Sequence, residues 1–269
     1  MAKASSYGRV GPLLRQWRGR RRLTQLELAL DAGVSARHLS FVETGRSKPG
    51  REMLLAVAEQ LHIPFRERNQ LLLAAGHAPA FPERSLGDPE LAPVRKALDR
   101  ILAAHEPYPA VVFDRAWNLV ATNAPMAELA ATVEIDPALL EPPINLLRTG
   151  LHPRGFAPLM VNPAEWRGHF LTRLAQQIAI GGDDGLRSLL DEVAGYPIPA
   201  GEDGAATEAG GGEILGPVRF RAPTGGEWSF FGMFAGFDTP FEVTTSELAI
   251  ELLFPADRAT AEALGKGAP

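Results

Sequence analysis

Leu23-Thr24-Gln25-Leu26-Glu27-Leu28-Ala29 and, after a gap of three residues, Gly33-Val34-Ser35 decide how the first part of this chain folds. Thr24 has the side chain of a helix N-cap, and Glu27 three residues later completes a capping box. Leu28, Ala29 and Ala32 then form an apolar stripe at i, i+1 and i+4. Gly33 ends that helix, because glycine enters the left-handed conformation without a Cβ penalty. Val34 plugs the corner, and Ser35 caps a second short helix whose Leu39 and Val42 face inward. Two short helices joined in this way form a helix-turn-helix unit.

On the N-terminal side, Leu13, Leu14 and Trp17 mark the apolar face of a preceding helix, and Arg18 to Arg22 trail out at its end. On the C-terminal side, Thr44–Pro49 reads as a loop. Met53–Leu61 and Phe65–Ala75 read as two further amphipathic helices, the second introduced by Pro64. Prolines 79, 82, 89 and 93 then punctuate the chain, which places a linker at 77–88.

Beyond it the pattern changes. Leu91, Val94, Leu98, Ile101 and Leu102 line one side of a helix, and Ala110–Phe113 and Trp117–Thr122 read as strands around an Asp114-Arg115 turn. Asn123 caps a helix running to about Thr132, and Trp166, Phe170, Leu174 and Ile178 place another at about 164–180. Gly181-Gly182-Asp183-Asp184-Gly185 reads as a turn between helices, and Gly195–Gly212 as a mobile loop. Val218–Arg221, Trp228–Ala235 and Phe241–Ile250 or beyond are strand-like, with Pro223-Thr224-Gly225-Gly226 as a hairpin turn between the first two. Strands that bracket a helical middle make this second part α+β.

The chain has 269 residues, 45% hydrophobic and 22% charged, enough for about two domains with sizeable cores. It contains no cysteine, which removes disulfides, thiolate nucleophiles and Cys-based zinc sites together. The longest apolar runs, such as Leu71–Ala75, fall far short of the roughly 20 residues that span a bilayer. The basic, polar start has no apolar stretch of signal-peptide length, so a soluble cytoplasmic protein is expected, without a membrane partner. The net charge of -5 is unevenly spread: residues 1–72 hold 13 Lys+Arg against 6 Asp+Glu, and residues 73–269 hold 14 against 26. A basic block on an acidic body points to a polyanionic partner for the first part alone.

The stretch from Leu23 through Gly33-Val34-Ser35 to Glu43-Thr44-Gly45 resembles the Xre/Cro-type phage-repressor domain over roughly residues 10–75. Further matches extend the resemblance to the MmyB-like regulators. They include Ser35-Ala36-Arg37-His38-Leu39-Ser40-Phe41, Arg66-Glu67-Arg68-Asn69 and Asp114-Arg115-Ala116-Trp117-Asn118. Asn145-Leu146-Leu147-Arg148, Glu247-Leu248-Ala249-Ile250-Glu251 and Phe254-Pro255-Ala256-Asp257 complete them. The resemblance implies a multidomain chain: an all-α, five-helix, λ-repressor-like helix-turn-helix domain followed by an α+β, PAS-like ligand-binding domain. The expected boundaries are 10–76 for the first domain, 77–88 for the linker, 89–258 for the second domain and 259–269 for a tail.

It also implies a DNA-contacting set of Gln25, Ser35, Ala36, Arg37, His38, Ser40, Phe41, Arg46 and Lys48. In that family the second helix enters the major groove, where each base pair shows a distinct donor and acceptor pattern. Ala36, Arg37 and Phe41 fall where base-reading side chains sit, and Arg37 suits bidentate contact with guanine. Phe41 either touches a thymine methyl or packs internally. Gln25, Arg46 and Lys48 fall at backbone-contacting positions, which position the domain without reading sequence. Glu43 matches a carboxylate that pairs with the arginine at Arg18. The Arg20-Arg21-Arg22 run reads equally as a solvated face or an approach to phosphate.

In the second domain the resemblance implies a fatty-acid-like ligand. The residues themselves offer aromatics for a cavity or a plain core: Trp166, Phe170, Phe230 and Phe234, the last two on one face of a strand with Trp228 and Gly232. The polar candidates are Asn123, Asn145 and Arg148. Capping is the competing role for Asn123, and pairing with an internal acid such as Asp114 is the competing role for Arg148.

No nucleotide-binding, zinc-protease or nucleophile-elbow motif occurs, and no pair of the six histidines has metal-ligand spacing, so neither catalytic residues, metal nor cofactor is expected. The expected function is a sequence-specific DNA-binding transcriptional regulator that senses a small apolar ligand. Its expected partners are double-stranded operator DNA and a second copy of the chain. The alternatives are an enzyme acting on an apolar acid and a protein-interaction module.

Overall fold

The computed structural model describes residues 10–198, 217–222, 225–238 and 240–265. They form two compact units. The first runs to Arg84 and includes residues 179–181 and 240–246; the second begins at Ser85 and contains the remainder.

The first unit is built from α1 (Val10–Arg20), α2 (Gln25–Asp31), α3 (Ala36–Glu43), α4 (Arg51–Gln60) and α5 (Phe65–Ala74). The capping box forms as its residues dictate: the Glu27 N–H donates to Thr24 Oγ1 at 3.2 Å, and the Thr24 N–H donates to Glu27 Oε2 at 2.7 Å. Gly33 turns the chain at φ 64, and Ser35 caps α3 by accepting from the His38 N–H. Leu14, Leu28, Leu39, Val42, Val57 and Leu61 are fully buried and hold the five helices on one core. Gly11 lets α1 approach α3 closely, since a Cβ there would lie 2.6 Å from the Glu43 carbonyl oxygen.

The residues after α5 are held to this unit rather than free of it. Asn69 Oδ1 accepts from the Ala80 and Phe81 N–H groups, its Nδ2 donates to the Phe81 carbonyl, and the Phe81 ring stacks 4.1 Å from that of Phe65. The first half of the stretch read as linker is therefore pinned by one buried asparagine.

The second unit holds α6 (Ala92–Ala104), β1 (Ala110–Phe113), β2 (Leu119–Thr122), α7 (Ala124–Ala131), α8 (Leu146–Leu151), α9 (Pro163–Gly181) up to Ile178, and α10 (Asp184–Ala194). It continues with β3 (Val218–Arg221), β4 (Glu227–Ala235), β5 (Ala249–Pro255) and a last helix, Arg258–Gly265, in the stretch read as a tail. The strands make one antiparallel sheet in the order β2-β1-β5-β4-β3, the α+β, PAS-like arrangement that the resemblance implies. Alternation along the strands divides the side chains between its faces. Val112 and Ile250 pack with Leu98 and Leu102 of α6; Val111 and Phe113 pack on the opposite side with Leu147, Phe170 and Leu174.

Three details differ from the sequence reading. The second strand begins at Leu119, because Asp114 Oδ1 accepts from the Ala116 and Asn118 N–H groups and winds residues 114–118 into a turn. The strand expected from Phe241 is instead a short helix, α11 (Val243–Ser246), followed by β5. There the Glu242 carboxylate accepts from both the N–H and the hydroxyl of Thr245, and such side-chain bonds compete with a strand ladder. Helices α8 and α10 lie where no helix had been delimited. Gly182, at φ 69, and Asp183, which accepts from the Gly185 and Leu186 N–H groups, form the expected turn before α10. Residues 199–212 of the glycine loop, together with Pro223 and Thr224, lie outside the described residues; Gly225 and Gly226 turn at φ 88 and 86. No helix among the described residues is long and apolar enough to cross a membrane.

Candidate functional site

Helix α3 buries Leu39, Val42 and Glu43, which leaves Ala36, Arg37, His38, Ser40 and Phe41 on its outward side. Ser35 and Arg37 are exposed, and Ala36, His38, Ser40 and Phe41 are half-buried. The Arg37 guanidinium lies over the Phe41 ring, 5.4 Å from its centroid, so these two side chains share one surface. Arg46 and Lys48 stand exposed on the loop that follows.

Gln25, at the start of α2, is tied to α3 from behind. Its Nε2 donates to Glu43 Oε2 at 2.7 Å, and the same carboxylate accepts from Arg18 Nε and Nη2 at 2.7 and 2.9 Å. The expected Arg18–Glu43 pair is thus present and buried on its acidic side. Burial pushes the Glu43 carboxyl upward, but the hydrogen bonds from Arg18 and Gln25 outweigh it and hold the group below the usual carboxylate range. Three helices of the helix-turn-helix unit meet at this one carboxylate.

In the second unit a cavity of about 90 Å³ opens between the sheet and α7, α8 and α9. That is roomy beside the roughly 10–15 Å³ that one water needs. Its wall is almost wholly apolar and includes Trp117, Met126, Leu147, Phe156, Trp166 and Phe170. Trp117 is held at φ 67, a conformation that bulky residues rarely adopt. Its ring stacks on Phe113, its edge meets Phe170, and its Nε1 donates to Gln177 Oε1 at 2.9 Å. A strained backbone held by this many contacts fixes one face of the cavity.

The aromatic candidates divide. Trp166 and Phe170 line the cavity. Phe234 packs in the same core beside Trp117, 6.5 Å between ring centroids, and Phe230 is fully buried in a neighbouring cluster with Phe220. Asn123 caps α7 by accepting from the Met126 N–H, also accepts from the Ala110 N–H at 2.9 Å, and donates to the Tyr108 carbonyl at 2.8 Å. Asn145 likewise caps α8, through the Arg148 N–H, and donates to the Ala116 carbonyl. Arg148 meets Glu192 of α10 in a bidentate pair, with Nε–Oε1 at 2.8 Å and Nη2–Oε2 at 2.7 Å; Asp114 is occupied by its own turn and by Asn118.

Of the charged residues not named from the sequence, Glu251 lines this cavity and Arg173 acts on it from outside the wall. Glu251 is buried in the middle of β5 and lines the wall. Burial pushes its carboxyl up to about 7, with the positive charge of Arg173 acting in the opposite sense. The Arg173 guanidinium lies 3.3 Å from the centroid of the Phe234 ring, and burial lowers its pKa against the pull of Glu251. The signal for Glu251 was available in the strand itself, as the one acid in the apolar run Ala249-Ile250-Glu251-Leu252-Leu253-Phe254.

Comparison with known proteins agrees with this division. Residues 94–266 match the MmyB-like transcription regulator ligand binding domain, and residues 14–68 match a helix-turn-helix family. The chain belongs to the MmyB-like transcription regulators. Its relatives include RghRB of Bacillus subtilis (strain 168), described as an uncharacterized HTH-type transcriptional regulator. The two are 30% identical over 127 residues, 47% of this chain and 83% of RghRB. Two crystal structures of the clp gene regulator ClgR from Corynebacterium glutamicum are 31% and 25% identical. They cover 28% and 39% of this chain and 94% and 99% of their own, each at a TM-score of 0.25.

This MmyB-like chain is accordingly a DNA-binding transcriptional regulator with a helix-turn-helix domain and a ligand-binding domain. Its family points to regulation rather than catalysis. Among the described residues no group of three His, Asp or Glu side chains is placed to hold a metal ion.

Proposed function

We propose that this MmyB-like regulator reads double-stranded operator DNA with α3, as a homodimer in the cytoplasm, and that its second domain senses a small apolar molecule with a fatty-acid-like chain. Ala36, Arg37, His38, Ser40 and Phe41 face the bases. Gln25, Ser35, Arg46 and Lys48 hold the phosphate backbone. Two copies reading half-sites one helical turn apart double the contacts of one.

The observation that carries the DNA half is the outward edge of α3, with exposed Arg37 continued by Arg46 and Lys48 on a block of +7 charge. The cavity behind Trp117, Trp166 and Phe170 supports the sensing half, because an apolar wall favours an apolar occupant. The ligand acts by linkage: it shifts the population toward whichever DNA-binding arrangement it binds better.

Selection from random DNA followed by titration against salt tests the first half. A preferred sequence, and an affinity falling steeply with salt at a slope of about -0.9 per phosphate contact, is the expected result. A selection that returns no preference overturns it. Mass spectrometry of the full chain, native and then denatured, tests the second half. An apolar molecule released at stoichiometry on denaturation supports sensing, whereas an empty protein that takes up no aliphatic compound makes the cavity ordinary core packing.

A further inference from the structure

Glu251 is the charged residue on the wall of the cavity, and its placement constrains what the cavity can hold. Along β5 the side chains of Ala249, Glu251 and Leu253 share one face, and Ala249 and Leu253 both pack in apolar clusters there. Glu251 thus occupies a core position in a strand paired on both sides, opposite Val111 of β1 and Phe234 of β4. A bare carboxyl in such a place is costly unless a donor meets it.

Among the described residues no side chain or backbone group donates a hydrogen bond to the Glu251 carboxylate. The cation that acts on Glu251, Arg173, holds its guanidinium over the Phe234 ring, acts through its charge alone and does not line the cavity. Room for the carboxyl is made by Gly232 on the neighbouring strand, where a Cβ would stand 3.2 Å from Glu251 Oε1. Glycine in a strand interior often marks a close approach of this kind. An acceptor group nine-tenths buried and facing an otherwise apolar cavity selects a donor.

We infer that the ligand of this cavity carries a hydrogen-bond-donating head, a primary amine or an alcohol, on its apolar body, and that Glu251 receives that head. The inference rests on the sensing reading above and deepens it. An ionised fatty acid fits the apolar wall equally well, but its carboxylate would meet the oxygens of Glu251. Two carboxylates in one apolar site cannot both stay charged without a large penalty.

The test, run above pH 7 where the Glu251 carboxyl is ionised, is binding of octylamine, octanol and octanoate to the full-length protein stripped of lipid. It is read by calorimetry and by the fluorescence of Trp117 and Trp166 at the cavity wall. Octylamine and octanol are expected to bind about ten-fold or more tightly than octanoate, the size of one hydrogen bond to a charged or strongly polar group. In Glu251→Gln, which keeps the side-chain volume, the advantage of octylamine should vanish and octanoate should gain. Gly232→Ala, whose methyl presses on Oε1, should shrink the same advantage and serves if Glu251→Gln does not fold. Octanoate binding most tightly to the wild type, with Glu251→Gln indifferent, overturns the head assignment and leaves sensing intact. Failure of all three to bind overturns sensing itself.

Discussion

The Arg18 guanidinium grips the Glu43 carboxylate with two hydrogen bonds, one from each of Nε and Nη2, while the carboxylate itself is fully shielded from solvent. The pair joins the end of the first helix to the end of the recognition helix, and Gln25 completes it from the second. Removing one partner of a buried pair leaves the other without compensation, at about 3–5 kcal/mol. Glu43→Ala and Arg18→Ala should each destabilise the N-terminal unit by an amount in that range, with the double variant no worse than the weaker single one. Denaturant unfolding checks this, and strictly additive losses would show that the two side chains do not act together.

The same carboxylate sets an acid limit. Its pKa is lower in the folded protein than in the unfolded chain, where a glutamate titrates at about 4.3. A depressed carboxyl contributes stability that is present above the unfolded value and lost as pH falls through the folded one. Stability of the N-terminal unit should therefore drop on acidification below about pH 4.3 more steeply in the wild type than in Glu43→Gln. Parallel curves would remove Glu43 from the account of acid unfolding.

Glu251 sets the opposite limit in the second unit. Its folded value of about 7 lies above the unfolded one, so its contribution is complete below about pH 4.3 and is lost as pH rises through 7. Between those values the ligand-binding unit should lose about 3 kcal/mol of stability, and Glu251→Gln should flatten that slope. Thermal melts across pH 4 to 9 measure it. A wild-type curve that is already flat would mean that the carboxyl stays ionised in the fold.

What the chain revealed in one dimension tracks how locally each feature is caused. The capping box of Thr24 and Glu27, the left-handed Gly33, the cap at Ser35 and the Arg18–Glu43 pair were legible, because each depends on a few neighbours or on a motif of fixed spacing. The strand expected from Phe241 was not, since the Glu242 carboxylate and the threonine hydroxyl that bend it into a helix look, in sequence, like any polar strand edge. The cavity was only half legible. Trp166 and Phe170 announce themselves by helical spacing, but the acid that faces them arrives from a strand some eighty residues later, and only sheet order brings it there. The partner of Arg148 was hidden for the same reason: Glu192 sits on a helix that the sequence reading left undelimited.

Asn123 separates a structural role from a ligand role. Its amide accepts from two backbone N–H groups and donates to the carbonyls of Leu102 and Tyr108, so it fixes the start of β1 and α7 together. Asn123→Ala loses the cap and strands buried backbone groups, a cost of about 3 kcal/mol. Asn123→Asp keeps the acceptor and loses the donor, and should fall between. Unchanged melting with weakened uptake of an aliphatic ligand would instead make Asn123 a ligand contact.

Arg37 and Lys48 should fail in different ways. Arg37 stands on the outward face of the recognition helix with its guanidinium braced by Phe41, which suits bidentate contact with one base pair. Arg37→Ala should cost about 1–3 kcal/mol on the preferred operator and relax the preference at that base pair, with little effect on unrelated DNA. Lys48 lies exposed beyond the helix, at the position proposed to meet phosphate. Lys48→Ala should weaken all sequences alike and reduce the salt slope by about one. Fluorescence anisotropy on operator and scrambled duplexes at several salt concentrations distinguishes the two. If Arg37→Ala lowers both duplexes equally, Arg37 positions the helix without reading sequence, and specificity must come from Ala36, Ser40 and Phe41 or from the shape of the DNA.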